Sequence, residues 1–367
     1  MKFYTPDNCH FVPFMVFSKL FYCTRTVLTM DLKEVVRRLN LFASTSLAET
    51  WDNVGLLVEP SAPVQVKKVL LTNDLTPPVM EEAVSMGANL IISYHPPIFS
   101  GMKCITQKTW KERIVATCLE NRIGVFSPHT SYDCVEGGVN DWLISAFDLK
   151  NVRPVENAME FPNNMNHSVS FTLPNSLYDT VQVELSPMAN ITQAVPSMEL
   201  DSKIIKLCCT KRKIAEVISV ISKHSGNIIE VKELSKIPKT GYGMGRIGNL
   251  IASITLDEAI NRVKSHLQLK SLRVAKSTDT NVLETVAVCA GSGGSLLKDV
   301  PASLYVTGEM SHHDVLHAVY NGTHVILCDH SNTERGFLVH LKKKLELQLP
   351  GIELYISNVD KDPLEIV

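Results

Sequence analysis

No apolar run in this sequence approaches the roughly 20 residues that a bilayer-spanning helix needs, which removes that route across a membrane. The nine cysteines contain no C-x-x-C pair, so the commonest cysteine signature of structural zinc is missing. Most sit in or beside apolar runs, as buried free thiols of a reducing compartment do. Charge of one sign is scarce as well. A net charge of −2 argues against a nucleic-acid binder that works by bulk electrostatics, while a local basic patch stays open. What is present is ordinary globular chemistry: 45% hydrophobic and 20% charged residues over 367 positions, enough core for two or three domains.

Residues 1–29 stand apart. The stretch from Phe11 to Tyr22 is aromatic-rich, basic residues follow at Lys19 and Arg25, and no acid occurs after Asp7. This reads either as a mitochondrial leader, though one poor in arginine, or as an extension ahead of a second start at Met30. The expected location is cytoplasmic and also nuclear, or mitochondrial if the segment is a leader.

From Asp31 to about residue 154, helical and aliphatic segments alternate. Helices are expected over 31–43, 77–86 and 108–121, with strands at 69–74, 89–93 and 124–127 between them. That alternation predicts an α/β lobe with a largely parallel sheet. Over 155–240 the texture changes to shorter strands around a helix at 213–224, which suits an inserted ferredoxin-like domain. From 241 the first pattern returns and forms a second α/β lobe to residue 367.

Three aliphatic runs meet a histidine within a few residues, at His95, His129 and His330. Ligands of parallel α/β sheets gather beyond the carboxyl ends of strands, and Asp74 and Asp133 belong to the same rim if the topology is right. His330 and Glu334 are four residues apart. A helix capped by Ser331 or Asn332 would face both at one point, as a hard or borderline metal ion requires. The plainer alternative is a set of loop histidines satisfied by backbone carbonyls.

A second cluster, Ser311-His312-His313-Asp314, reads as a capping box that opens a helix. His313 and His317 have zinc-helix spacing, but the glutamate of HExxH is absent, so histidines shown to solvent are the simpler reading. Gly243 to Gly248 fits G-x-G-x-x-G as a string. Yet no strand is expected over 235–240, and a strand is expected at 250–254 where a dinucleotide site needs a helix. Gly291, Ser292 and Gly293 lie between a strand and a plausible helix, where their amides could hold an anion or simply make a tight turn.

Taken together these motifs resemble the NIF-three-like family, also described as GTP-cyclohydrolase-type-two homologues, in its eukaryotic branch. The match runs through Glu49–Leu56, Ser93–Phe99, Ser127–Asp133, Tyr242–Gly248, Leu304–Asp314 and Asp329–Gly336, in family order. The resemblance implies two α/β lobes around a dinuclear-metal cleft, with a PII-type ferredoxin-like insert. It implies His95, Asp133, His330 and Glu334 as ligands of two divalent ions (zinc, manganese or iron). Tyr94 stands where family members commonly carry another histidine, so it would be a weak ligand for the second ion. His129, His312, His313 and Asp74 become supporting or proton-transfer groups.

The function implied is a hydrolase-like one, with metal-activated water attacking a nucleotide or related small molecule, as in opening the guanine ring of GTP. The alternative is a regulatory protein that acts through transcription-related partners and keeps a structural metal. Self-association, from dimer to hexamer, is implied in either case. No direct nucleic-acid binding and no membrane association are expected.

Overall fold

The computed structural model describes residues 29–198, 201–278 and 282–366. The leader or extension expected over residues 1–29 therefore lies, except for Thr29, outside the described residues. The fold is mixed α/β, with several sheets and helices.

The first sheet takes its strands in the order Glu353–Ile356, Lys68–Thr72, Leu90–Ser93, Gly124–Ser127 and Gly55–Val58. Its first four strands are parallel neighbours and the last is antiparallel. These strands are short and apolar because both faces are covered, as in a parallel sheet between helices. Side chains alternate accordingly. Leu70, Ile91 and Val125 pack outward under the helices Pro77–Ser85 and Trp110–Glu120, while Val69, Leu71, Leu90 and Ile92 join the central core.

The second sheet has the order Arg273–Ala275, His324–Leu327, Leu304–Glu309, Val282–Ser292, Arg246–Thr255 and Leu149–Arg153. Its three central strands are parallel. Val286, Val288, Leu304, Val306 and Ile326 share one continuous core with the inner face of the first sheet. The helices Val139–Ile144 and Phe337–Gln348 fill the space between, through Trp142, Leu143, Phe337, Leu338, Leu341 and Leu345. This common core fixes the two sheets so that the carboxyl ends of their parallel strands converge on one cavity.

Strand pairing does not follow the boundaries expected at 154 and 241. Leu149–Arg153, which precedes the middle segment, pairs in the second sheet, and Glu353–Ile356 at the far end of the chain pairs in the first. Local sequence says nothing of such an exchange, because either strand satisfies any open sheet edge.

The middle segment runs strand His167–Pro174, helix Tyr178–Leu185, strands Ala189–Pro196 and Ser202–Cys209, helix Ile214–Lys223 and strand Asn227–Glu233. Its four strands make an antiparallel sheet with its own core, including Val169, Phe171, Leu207, Val217 and Ile221. The helix at 178–185 is not among the elements expected from the sequence. The ribbon of Glu156–Glu160 with Ile237–Met244 leads into and out of this unit. A strand thus covers part of 235–240, contrary to expectation, because pairing with 156–160 outweighs the local Pro238 and Gly241. The segment 246–255 is a strand, as required to reject a dinucleotide fingerprint. No described helix is long and apolar enough to cross a membrane.

Candidate metal centre

The strand His324–Leu327 ends at Cys328, and Asp329 takes a left-handed conformation with φ of 66°. A single 3-10 turn, Ser331–Thr333, comes next, and the α-helix begins only at Phe337. The expected helix start at Ser331 is thus displaced, because both candidate caps are engaged elsewhere. The Ser331 hydroxyl donates to Asp362 (2.5 Å) and accepts from Arg335 (2.8 Å), and the Asn332 amide donates to the Cys328 carbonyl (2.9 Å). The tighter turn still brings His330 and Glu334 together, with Nε2 3.4 Å from Oε1.

The other oxygen of the same carboxylate, Glu334 Oε2, is 3.4 Å from His95 Nε2. His95 comes from the facing sheet, just past Leu90–Ser93, and its amide extends the strand by donating to the Asn73 carbonyl (3.0 Å). One ligand atom from each of His95, His330 and Glu334 lies within 4.8 Å of the others, a group that can hold a metal ion. The other ring nitrogens are held by carboxylates. His95 Nδ1 is 2.9 Å from Asp74 Oδ1, and His330 Nδ1 is 3.2 Å from Glu309 Oε2.

This arrangement orients both rings and turns both Nε2 lone pairs toward Glu334, where acceptor meets acceptor unless a cation or proton stands between. The electrostatics agree. Burial disfavours the His95 imidazolium, yet Glu334 and Asp74 outweigh it and raise its pKa from 6.5 to about 10. Asn73 adds a hydrogen bond to Glu334 Oε2 (3.1 Å), and its buried Oδ1 has no partner among the described residues. Donor set, orientation and unbalanced negative charge all fit a divalent ion.

Asp133 lies beside this group and outside it. It sits in the short helix Thr130–Cys134 and accepts a hydrogen bond from the hydroxyl of buried Tyr94. Burial lifts its pKa to about 6, with the Tyr94 hydrogen bond opposing and Glu334 reinforcing the rise. Burial first, then the charges of Asp133 and Glu334, keep Tyr94 a neutral phenol.

His129 reaches the cavity from a strained backbone position, φ 35°. Its Nδ1 is 2.7 Å from Asp52 Oδ1, and the Thr130 hydroxyl and amide hold the other Asp52 oxygen at 2.5 and 3.2 Å. The His129 and His95 ring centroids are 5.3 Å apart. Trp51 and Phe99, with centroids 6.0 Å apart and largely exposed, form an aromatic wall beside it. The cavity between wall and donors measures about 570 Å³, and among the described residues no lysine or arginine lines it.

Other expected residues fall elsewhere. Ser311 caps the expected helix on the outer surface, accepting from the Asp314 amide (3.2 Å). The Asp314 carboxylate, however, accepts from the Ser311 hydroxyl (2.6 Å), so the structure shows the serine half of the expected capping box. His312 and His313 are exposed, meet edge to face at a centroid distance of 5.5 Å and do not line the cavity. His317 pairs with Asp299 (2.6 Å) rather than with His313. Gly291 and Ser292 do line the cavity. The Gly291 amide, however, donates to Thr333 (2.8 Å) and the Gly293 amide to the Glu309 carbonyl (3.1 Å), so neither is left for an anion.

Three residues that matter here are not singled out by the sequence pattern: Glu309, Asn73 and Asp52. A usable signal was present for each, since all stand at or just beyond a strand end or inside a matched motif.

The family profile for Duf34/NIF3 (NGG1p interacting factor 3) matches residues 30–363. The chain is 44% identical over 365 residues to NIF3-like protein 1 of Bos taurus, covering 96% of each chain. It is 32% identical over 359 residues to NGG1-interacting factor 3 of Saccharomyces cerevisiae, covering 94% of this chain and 99% of that one. Among solved structures, a Staphylococcus aureus protein superposes with a TM-score of 0.78 at 24% identity, covering 92% of this chain and 99% of the other. That last likeness is one of fold.

Proposed function

The chain belongs to the Duf34/NIF3 family, and on that premise we propose that it is a metal-dependent, hydrolase-like protein acting on a small molecule in the cavity at His95, His330 and Glu334. One observation carries this reading: two imidazoles from opposite sheets, each oriented by its own carboxylate, approach different oxygens of Glu334 at 3.4 Å. His95, His330 and Glu334 would hold a divalent ion (zinc, manganese or iron), which would supply Lewis acidity and a more acidic water. His129, its Nδ1 fixed by Asp52, presents Nε2 as a proton acceptor and donor. Asp74 and Glu309 hold the ligand rings in position.

The aromatic pair Trp51–Phe99 suits a flat, apolar substrate face such as a nucleobase. Among the described residues the lining has no lysine or arginine to grip a triphosphate, so we favour a nucleobase or nucleoside over GTP itself. The strand order of the middle segment supports its reading as a ferredoxin-like insert between the two lobes. Self-association, from dimer to hexamer, belongs to the same proposal and rests on the family resemblance.

A regulatory role through transcription-related partners is the second reading, favoured by the name of the yeast relative, NGG1-interacting factor 3. Metal analysis of the purified full chain, paired with an unbiased nucleotide and phosphoester hydrolysis screen, tests the two. The enzyme reading expects bound metal that His330→Ala and Glu334→Gln abolish, together with a hydrolysed substrate lost in the same variants. A folded, metal-free chain that hydrolyses nothing and still binds partners overturns it in favour of regulation.

A further inference from the structure

We propose that this chain binds one divalent ion, at His95, His330 and Glu334, and that the Tyr94–Asp133 hydrogen bond closes the second position implied by the family resemblance. The inference rests on the reading of the centre as a metal site and departs from the two-ion expectation.

The donors themselves divide this way. Among the described residues, the group whose ligand atoms come within mutual reach contains His95, His330 and Glu334 and leaves out Asp133. Asp133 is the carboxylate a second ion would need, and the Tyr94 hydroxyl donates to its Oδ1. A phenol that is giving its proton to a carboxylate is a ligand only if it turns away or loses that proton, and either change strips Asp133 of its partner.

The Tyr94 backbone is fixed: its amide donates to the Thr72 carbonyl at 2.9 Å, and its carbonyl accepts from the His129 amide (3.2 Å) and the Ser127 hydroxyl (2.9 Å). The residue is 3% exposed, and its ring lies edge-on to both His95 and His129, at centroid distances of 5.1 and 5.8 Å, which leaves the phenol little room to turn. Asp133 is equally confined at 7% exposure, and its carbonyl accepts from Asn140 (3.1 Å). An imidazole at position 94 would instead offer a neutral nitrogen donor and free the Asp133 oxygen, completing a second set of ligands.

The test is metal stoichiometry. The full-length protein is loaded with Zn²⁺ or Mn²⁺, desalted and analysed by plasma mass spectrometry. One ion per chain is expected for the wild type and for Tyr94→Phe, and two for Tyr94→His. Two ions in the wild type, or a folded Tyr94→His that still holds one, overturns the proposal. Electron paramagnetic resonance of the Mn²⁺-loaded wild type gives a readout that needs no variant. An isolated six-line signal is expected, and an exchange-coupled pair contradicts the proposal. No ion in any sample overturns the metal reading itself, which separates that failure from an error in the count.

Discussion

Gly291 leaves the space that Glu334 occupies: a β-carbon built on Gly291 would stand 2.8 Å from Glu334 Oε1 and 3.0 Å from His330 Nε2. Gly291 also has φ of +64°, a conformation that costs other residues about 1–2 kcal/mol. Gly291→Ala should therefore push two ligands apart and lower metal affinity by about tenfold or more, in the range found when a metal's supporting groups are disturbed. Competition with a chromophoric chelator measures the affinity, and urea denaturation of the metal-free variant reports the backbone cost. Unchanged affinity would show that the Glu334 carboxylate has room to move.

Asp74 and Glu309 hold the two ligand imidazoles from behind, and their losses should differ. Asp74 is the nearer (2.9 against 3.2 Å) and the less exposed (34% against 51%). Asp74→Asn and Glu309→Gln are each expected to weaken metal binding about 10- to 100-fold, with Asp74→Asn the larger. Calorimetric titration with Zn²⁺ decides the order. Equal or reversed effects would mean that the His95 ring is oriented by something other than Asp74.

Arg246 explains the glycine-rich string that looks like a nucleotide motif. Its guanidinium grips both oxygens of Asp141 at 2.7 and 2.8 Å and donates to the carbonyls of Gly243 (2.6 Å), Gly245 (2.7 Å) and Val135 (3.2 Å). Gly243 has φ of +152°, and its β-carbon would meet the Glu156 carbonyl at 2.0 Å, so the chain passes through a space that admits no side chain. Arg246→Ala removes all five of these bonds, although the Gly137 amide still donates to Asp141 (2.7 Å) and the Gly138 amide to the Val135 carbonyl (3.0 Å). Because Asp141 stays partly exposed, the loss should sit at the low end for a broken buried pair, about 3 kcal/mol in urea denaturation. Adding Asp141→Leu should recover part of that loss, since both partners are then gone. A strictly additive double variant would rule out the coupling.

His266 predicts a pH dependence unconnected with the metal. Burial against Trp142, at a ring distance of 4.8 Å, holds its pKa below the ordinary 6.5, and Nε2 has no partner among the described residues. The unfolded chain takes up a proton that the folded chain resists, so the unfolded state binds more protons below about pH 6.5 and stability falls as pH drops. Between about pH 7.5 and 5.5 the denaturation midpoint of the metal-free wild type should fall more than that of His266→Phe. A parallel fall in both proteins would exclude His266 as the source.

Alternation of apolar strands with amphipathic helices carried the α/β class, because period and strand length are local properties that survive without knowledge of the partner. The placement of His95, His129 and His330 just beyond aliphatic runs was legible for the same reason: a strand that ends at a buried rim presents its next residues to the cavity. Glu334 was legible by its four-residue spacing from His330, although the turn that delivers it is 3-10 rather than α.

Everything that depends on a facing surface waited for the folded chain. Which sheet edge received Leu149–Arg153 and which received Glu353–Ile356 depended on long-range hydrogen bonding, to which local pattern is blind. The support of His330 by Glu309 and the capture of Asp133 by Tyr94 are meetings between segments remote in sequence. A side chain's chemistry is written at its own position, but the atom it opposes is set by the packing of a shared core.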